Sequence, residues 1–147
     1  MPVPELNPDG YLPVGVYSCT LAEVEKRFGS CKDTDRRIQL FSRLEQFVRE
    51  LKQTGLVCAV IVDGSFVTDK SLPDDIDLIV ALIQPVDFSI GILPSHYNAL
   101  SRKRVRARYG FDVFVDPDKS AAYKEHVAFF QQNRNTTRRK GVLRIDL

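Results

Sequence analysis

The chain has 147 residues, 44% of them hydrophobic and 27% charged, with a formal net charge of +2 at pH 7. That is enough chain to bury a core as a single domain over 1–147, and the balance excludes a disordered or membrane-embedded composition. The small net charge does not by itself indicate a nucleic-acid binder, and no apolar run approaches a bilayer span.

The first nineteen residues carry Pro2, Pro4, Pro8 and Pro13 with Gly10 and Gly15. They predict an extended N-terminal segment in which Tyr11, Leu12, Val14, Val16 and Tyr17 are available for packing. Met1-Pro2-Val3-Pro4-Glu5 lacks the basic and apolar regions of a signal peptide, and Cys19, Cys31 and Cys58 have neither metal-type spacing nor an even count. A cytoplasmic, reduced protein is expected. Thr20-Leu21-Ala22-Glu23 reads as a capping box opening a helix to about Phe28. Ile38, Phe41, Leu44, Phe47, Val48 and Leu51 recur at helical spacing and predict a longer helix from about Thr34 to Gln53, stopped by Gly55.

The apolar run 57–62 predicts a strand ending at a Gly64-Ser65 turn, and Asp75 opens a second strand to about Ile83. Gln84 to Pro94 reads as an irregular connection. Ser95 is placed to cap a helix over 96–109, closed by Gly110. Phe111 to Asp116 predicts a strand, Pro117-Asp118 a turn, and Ser120 to Gln132 a helix. The tail from Asn133 to Lys140 is basic. Beyond it, Val142, Arg144 and Asp146 alternate with Leu143, Ile145 and Leu147, as expected of an edge strand. Helices alternating with at least three strands argue for an α/β fold with a mixed sheet flanked by helices.

The segment 63–77 carries the chemistry. On a strand, Asp75 and Asp77 would project from one face and repel unless a cation lay between them. Paired hard oxygen ligands suit Mg2+ or Mn2+. The Gly64-Ser65 turn offers backbone N–H groups to a phosphate. Asp112 interrupts an apolar strand and is the candidate third acid, preferred over Asp116, which shares its strand face. Asp63 is a further acid at a strand end, and Asp74 reads as a turn residue.

This constellation resembles the nucleotidyltransferase superfamily of polymerase-β-like fold. Its signature is an apolar residue followed by Gly and Gly or Ser, a connection, and then Asp-apolar-Asp/Glu-apolar. Here it reads Gly64-Ser65, nine residues, Asp75-Ile76-Asp77-Leu78, and the resemblance covers about residues 35 to 116. The Leu12-Pro13-Val14-Gly15 start and the Lys140-Gly141-Val142-Leu143-Arg144-Ile145 end also look like a small bacterial family of single-domain proteins of this kind, lacking an assigned function. The resemblance implies that Gly64 and Ser65 cradle the triphosphate of a nucleoside triphosphate. It implies that Asp75, Asp77 and Asp112 hold magnesium or manganese, and that Asp112 helps deprotonate an acceptor hydroxyl on a protein, an RNA end or a small molecule. Where many relatives carry an Arg after Gly-Ser, this chain has Phe66, Val67, Thr68 and Asp69, and Lys70 is the substitute cation. The alternatives are a non-catalytic partner of a toxin or defence protein, and a regulatory module that binds nucleotide without turnover.

Other residues have plainer expectations. His96 and His126 lack partners at ligand spacing and read as ordinary helix residues. Arg102 to Arg108 form the densest basic run, with Arg102 and Arg106 on one helix face and Arg104 and Arg108 on another. Such a run suits either steering of nucleotide or RNA, or plain solvation at a helix C-terminus. Arg134, Arg138, Arg139 and Lys140 form a second basic patch. Tyr97, Tyr109 and Tyr123 are more suited to packing than to stacking on a base.

Overall fold

The two longest apolar runs lie side by side near the middle of a five-stranded mixed sheet of order β1-β5-β2-β3-β4. The structure, a computed structural model, describes residues 3–30, 35–86, 93–133 and 138–147. Cys31, Thr34 and Arg134, and residues 87–92 of the connection expected to be irregular, lie outside them. The strands are β1 (Val16–Cys19), β2 (Val57–Asp63), β3 (Asp77–Leu82), β4 (Asp112–Pro117) and β5 (Val142–Asp146), and the described helices are α1 (Leu21–Phe28), α2 (Arg36–Thr54), α3 (Pro94–Leu100), α4 (Arg102–Tyr109) and α5 (Ala121–Phe130). No described helix is long and apolar enough to cross a membrane.

Local chemistry explains most of these boundaries. Both bonds of the Thr20–Glu23 capping box are formed at α1. Gly55 ends α2 at φ 68°, where a side chain would strain the backbone. Of the apolar positions expected to bury α2, Phe41, Leu44, Phe47, Val48 and Leu51 do so, whereas Ile38 is 46% exposed.

Three expectations change. The helix expected over 96–109 is two helices, because Ser101 takes an extended conformation at the end of α3 and caps α4 through Arg104 N–H. Ser95 lies inside α3 and caps nothing. The segment 142–146 is not an edge strand. It is inserted antiparallel to β2 and parallel to β1, and β1, drawn from the segment expected to be merely extended, forms the edge. Alternation predicts which side chains share a face, but it carries no information about neighbours. Finally, β3 begins at Asp77, so Asp75 precedes the strand and is not on its face.

Strand alternation divides the core in two. Val60, Val62, Leu78, Val80, Leu82, Val113, Leu143 and Ile145 face the layer of α1 to α4. Ala59, Ile61, Ile79, Ala81 and Val142 face α5, which contributes Tyr123, Val127 and Phe130. The two alanines let α5 approach closely. A single ten-residue helix covers the described part of this face, and the end of the sheet where β2 stops and β3 and β4 start extends past it.

The loop between β2 and β3 is held from behind by the first turn of α2. Arg37, only 3% exposed, donates to the carbonyls of Phe28 and Phe66 at 3.3 and 2.7 Å, and to those of Thr68 and Lys70 at 2.7 and 2.6 Å. Arg36 donates to the carbonyls of Pro73 and Asp74 at 2.9 and 3.1 Å. Burial works against the Arg37 charge, and nearby Asp69 works for it. Removing this guanidinium orphans buried carbonyls, so Arg37→Met is expected to lower unfolding free energy by about 3 kcal/mol. Arg37→Lys should recover little of it, since a point charge cannot serve four acceptors. Urea denaturation of the three proteins measures both effects.

Candidate active site

Pairing register brings the acids together. Asp63 at the end of β2 is the partner of Asp77 at the start of β3, and Asp77 is the partner of Asp112 at the start of β4. Three aspartates on adjacent strands therefore occupy one row on the face that carries α5, at the end α5 leaves open. Asp75 joins them from the loop.

The Gly64-Ser65 turn locks that loop against β3. Gly64 has φ 94°, and a Cβ there would lie 2.8 Å from the Asp75 carbonyl oxygen and 3.1 Å from Asp77 N, so only glycine fits without displacing backbone. Ser65 opens a short 3-10 turn over Ser65–Val67. Its N–H and Oγ donate to Asp75 Oδ1 at 2.8 and 2.7 Å, and its Oγ accepts from the backbone N–H of Asp74 and Asp75. The Gly64 backbone amide favours the charged form of Asp63. The amides expected to receive a phosphate are thus engaged by carboxylates, and an anion entering here must exchange for them.

Charge is distributed unevenly around this row. Asp63 is buried and pairs with Lys140 Nζ at 2.7 Å. Burial still raises its pKa, with Lys140 opposing. Asp77 has no such cation of its own: burial first, then the charges of Asp75, Asp63 and Asp112, push it up to about 6. Asp112 is exposed and receives a hydrogen-bonded ion pair from Arg106. Lys70 turns to Asp74 at 2.6 Å, so the cation within the acid row is Lys140, not Lys70. Among the described residues, no three His, Cys, Asp or Glu side chains are gathered closely enough to form a ready-made metal site.

The acids form one end of a cleft of about 780 Å³, lined also by Gly64, Ser65, Lys70, Arg102, Phe114, Phe129 and Lys140. Six aspartates line it against three cations, a surplus that disfavours a bare anion. The expected split of the basic helix is present. Arg102 and Arg106 turn to the cleft and to Asp112, whereas Arg108 pairs with Glu50 and Arg104 bonds Asn98 over the Tyr97 ring. Tyr109 and Tyr123 are buried packing residues. In the basic tail, Arg138 pairs with Asp9 and Arg139 bonds Gln131.

Sequence reasoning underestimated two groups. Lys140 read as part of a basic patch, and nothing in its neighbours signals a buried partner 77 positions away. Asp116 shares the Asp112 face as expected, but it is buried against His126, whose Nδ1 lies 2.5 Å from Asp116 Oδ2. His126 therefore has a partner that helix spacing could not reveal.

The chain belongs to a family of unknown function, DUF6932, whose model matches residues 4–146. No curated protein and no solved structure is significantly similar to it.

The raised Asp77 pKa sets a pH dependence. Between the ordinary value of 3.8 and about 6 the folded protein holds a proton that the unfolded chain has lost, so this group's contribution to stability falls as pH rises through that window. Asp77→Asn should therefore stabilise the protein at pH 7.5 by on the order of 1 kcal/mol, after discounting for partial exposure, and the difference should vanish near pH 4. Thermal melts of both proteins across this range check the sign.

Proposed function

We propose that this chain is a metal-dependent nucleotidyltransferase of polymerase-β-like fold, which transfers a nucleoside monophosphate from a nucleoside triphosphate to a hydroxyl acceptor on a protein, an RNA or a small molecule. The observation that carries this reading is the register Asp63–Asp77–Asp112 across three neighbouring strands, with Asp75 fastened beside it by Gly64 and Ser65. The order of a long helix, a strand, a Gly-Ser turn, an antiparallel strand starting at an acid and a parallel strand starting at a third acid supports it further.

Carboxylate oxygens are the donors a hard divalent cation takes, and Asp75, Asp77 and Asp112, which supply them, would have to draw together to share one. Asp77 carries mutual repulsion that a cation relieves. Magnesium or manganese held there would neutralise phosphate charge and polarise the reacting oxygens. The surplus of aspartates explains why a nucleotide would enter only together with such a cation.

The residues of the chain have separable tasks. Lys140 balances Asp63 and leaves Asp77 and Asp75 as the uncompensated pair. Arg106 orients Asp112 through Oδ1. In the reaction the acceptor oxygen bonds the α-phosphorus, the bond from that phosphorus to the bridging oxygen of the β-phosphate breaks, and pyrophosphate leaves. The acceptor proton passes to Asp112. Positioning and charge compensation supply most of the rate, for which a small domain suffices.

A second reading is favoured by the same hydrogen bonds. Asp75 is committed to Ser65 and Asp112 to Arg106, as in a module that holds nucleotide without turnover, alone or as the partner of a toxin or defence protein.

Incubation with each α-32P-labelled nucleoside triphosphate, magnesium and cell extract separates the two. Transfer should appear in an acceptor band and fall at least about a hundred-fold in the Asp75→Ala, Asp77→Ala double variant. Nucleotide binding without any labelled acceptor would favour the module. Independently of turnover, magnesium or manganese should raise the melting temperature of the unmodified protein at pH 7.5 and leave that of Asp77→Asn unchanged.

A further inference from the structure

The cleft has an aromatic half for which the acids do not account. Asp112, Phe114 and Asp116 alternate along β4 on one face. The His126 ring, bonded to Asp116, lies flat on Phe114 with centroids 3.8 Å apart and planes 8° from parallel. The Arg102 guanidinium carbon lies 4.8 Å from the centroid of the same ring. Imidazole fills one face of Phe114, so Arg102 covers the other. Accordingly Arg102 and Phe114 line the cleft and His126 does not. Phe129, 47% exposed, meets Phe114 at 84° with centroids 6.5 Å apart, and it lines the cleft as well.

This is a layered column anchored at its foot by a buried carboxylate. Its outermost member is a guanidinium seated over an aromatic ring, which loses little side-chain freedom when a second plane settles on it. We propose that Arg102 and Phe129 form a nucleobase platform, the base stacking on the Arg102 plane with Phe129 at its side while the phosphates lie at the acid end of the same cleft. The inference rests on the nucleotide reading given above. Residues two apart on a strand are separated by ~7 Å, which places Phe114 about one sugar ring from Asp112. Guanidinium and phenyl planes accept the π-face of any base, so the platform gives affinity across bases. A phosphate clamp would need only the charge of Arg102; here the guanidinium carbon sits over an aromatic ring.

Isothermal titration calorimetry of the full chain with magnesium tests this, using α,β-methylene nucleoside triphosphates of the four bases against inorganic tripolyphosphate. The analogues should bind roughly ten-fold or more tightly than tripolyphosphate. Phe129→Ala should remove that advantage and leave tripolyphosphate affinity unchanged, and Arg102→Ala should remove it with only the small loss of tripolyphosphate affinity that one cleft cation accounts for. Both side chains are exposed, so the variants keep the fold, and circular dichroism verifies it. Arg102→Lys should behave like Arg102→Ala, because the plane and not the charge is required. Full retention in Arg102→Lys would make Arg102 a phosphate clamp and overturn the platform. Equal affinity for analogues and tripolyphosphate, or no loss in either alanine variant, would overturn it and leave the metal and phosphate reading standing. Binding of neither probe would overturn both.

Discussion

Two successive arginines at the start of α2 hold the loop on which the candidate site is built. Arg36 and Arg37 together grip carbonyls of Phe66, Thr68, Lys70, Pro73 and Asp74. Cations in a first helical turn oppose the helix dipole. The local electrostatics are therefore unfavourable, and the carbonyls of the loop offset them. Because the grip comes from the α2 side of the sheet, the opposite surface of the loop, with Gly64, Ser65 and Asp75, faces the cleft.

The second constraint is the uneven covering of the sheet. Four helices bury one face, and α5 packs over Ala59 and Ala81 on the other. Where α5 ends, the strands present aspartates in place of aliphatic residues. β2, β3 and β4 each place an aspartate where they open to the cleft, and β4 carries a second acid, Asp116, buried against His126. Such a departure from local consistency is expected where a site is being assembled, not where a core is being filled.

Much of this arrangement was legible in the chain itself. The recurrence of Phe41, Leu44, Phe47, Val48 and Leu51 marks α2, and the apolar runs mark β2 and β3. Asp112 stands out because an acid beside Phe111 and Val113 needs a reason. Its meeting with Asp77 was expected only through the family resemblance, since register across strands depends on a crossover connection whose path no local pattern encodes. The same limit hid the interior slot of β5 and the reach of Lys140 to Asp63. Arg37 was missed for a different cause: charge next to charge at a helix start looks solvated, and only tertiary packing buries it. The break at Ser101 was not anticipated, because the helix-forming run of arginines that follows it suits a continuous helix.

The slot taken by β5 has a bearing on synthesis. A ribosome delivers α1 through α5 and four strands before it delivers Val142–Asp146, the segment that must pair with β1 on one side and β2 on the other. Until then β2 presents a naked hydrogen-bonding edge, and β1 has no partner. Lys140, immediately upstream, reaches Asp63 when that segment docks, so closing the sheet and bringing a cation into the cleft are a single event.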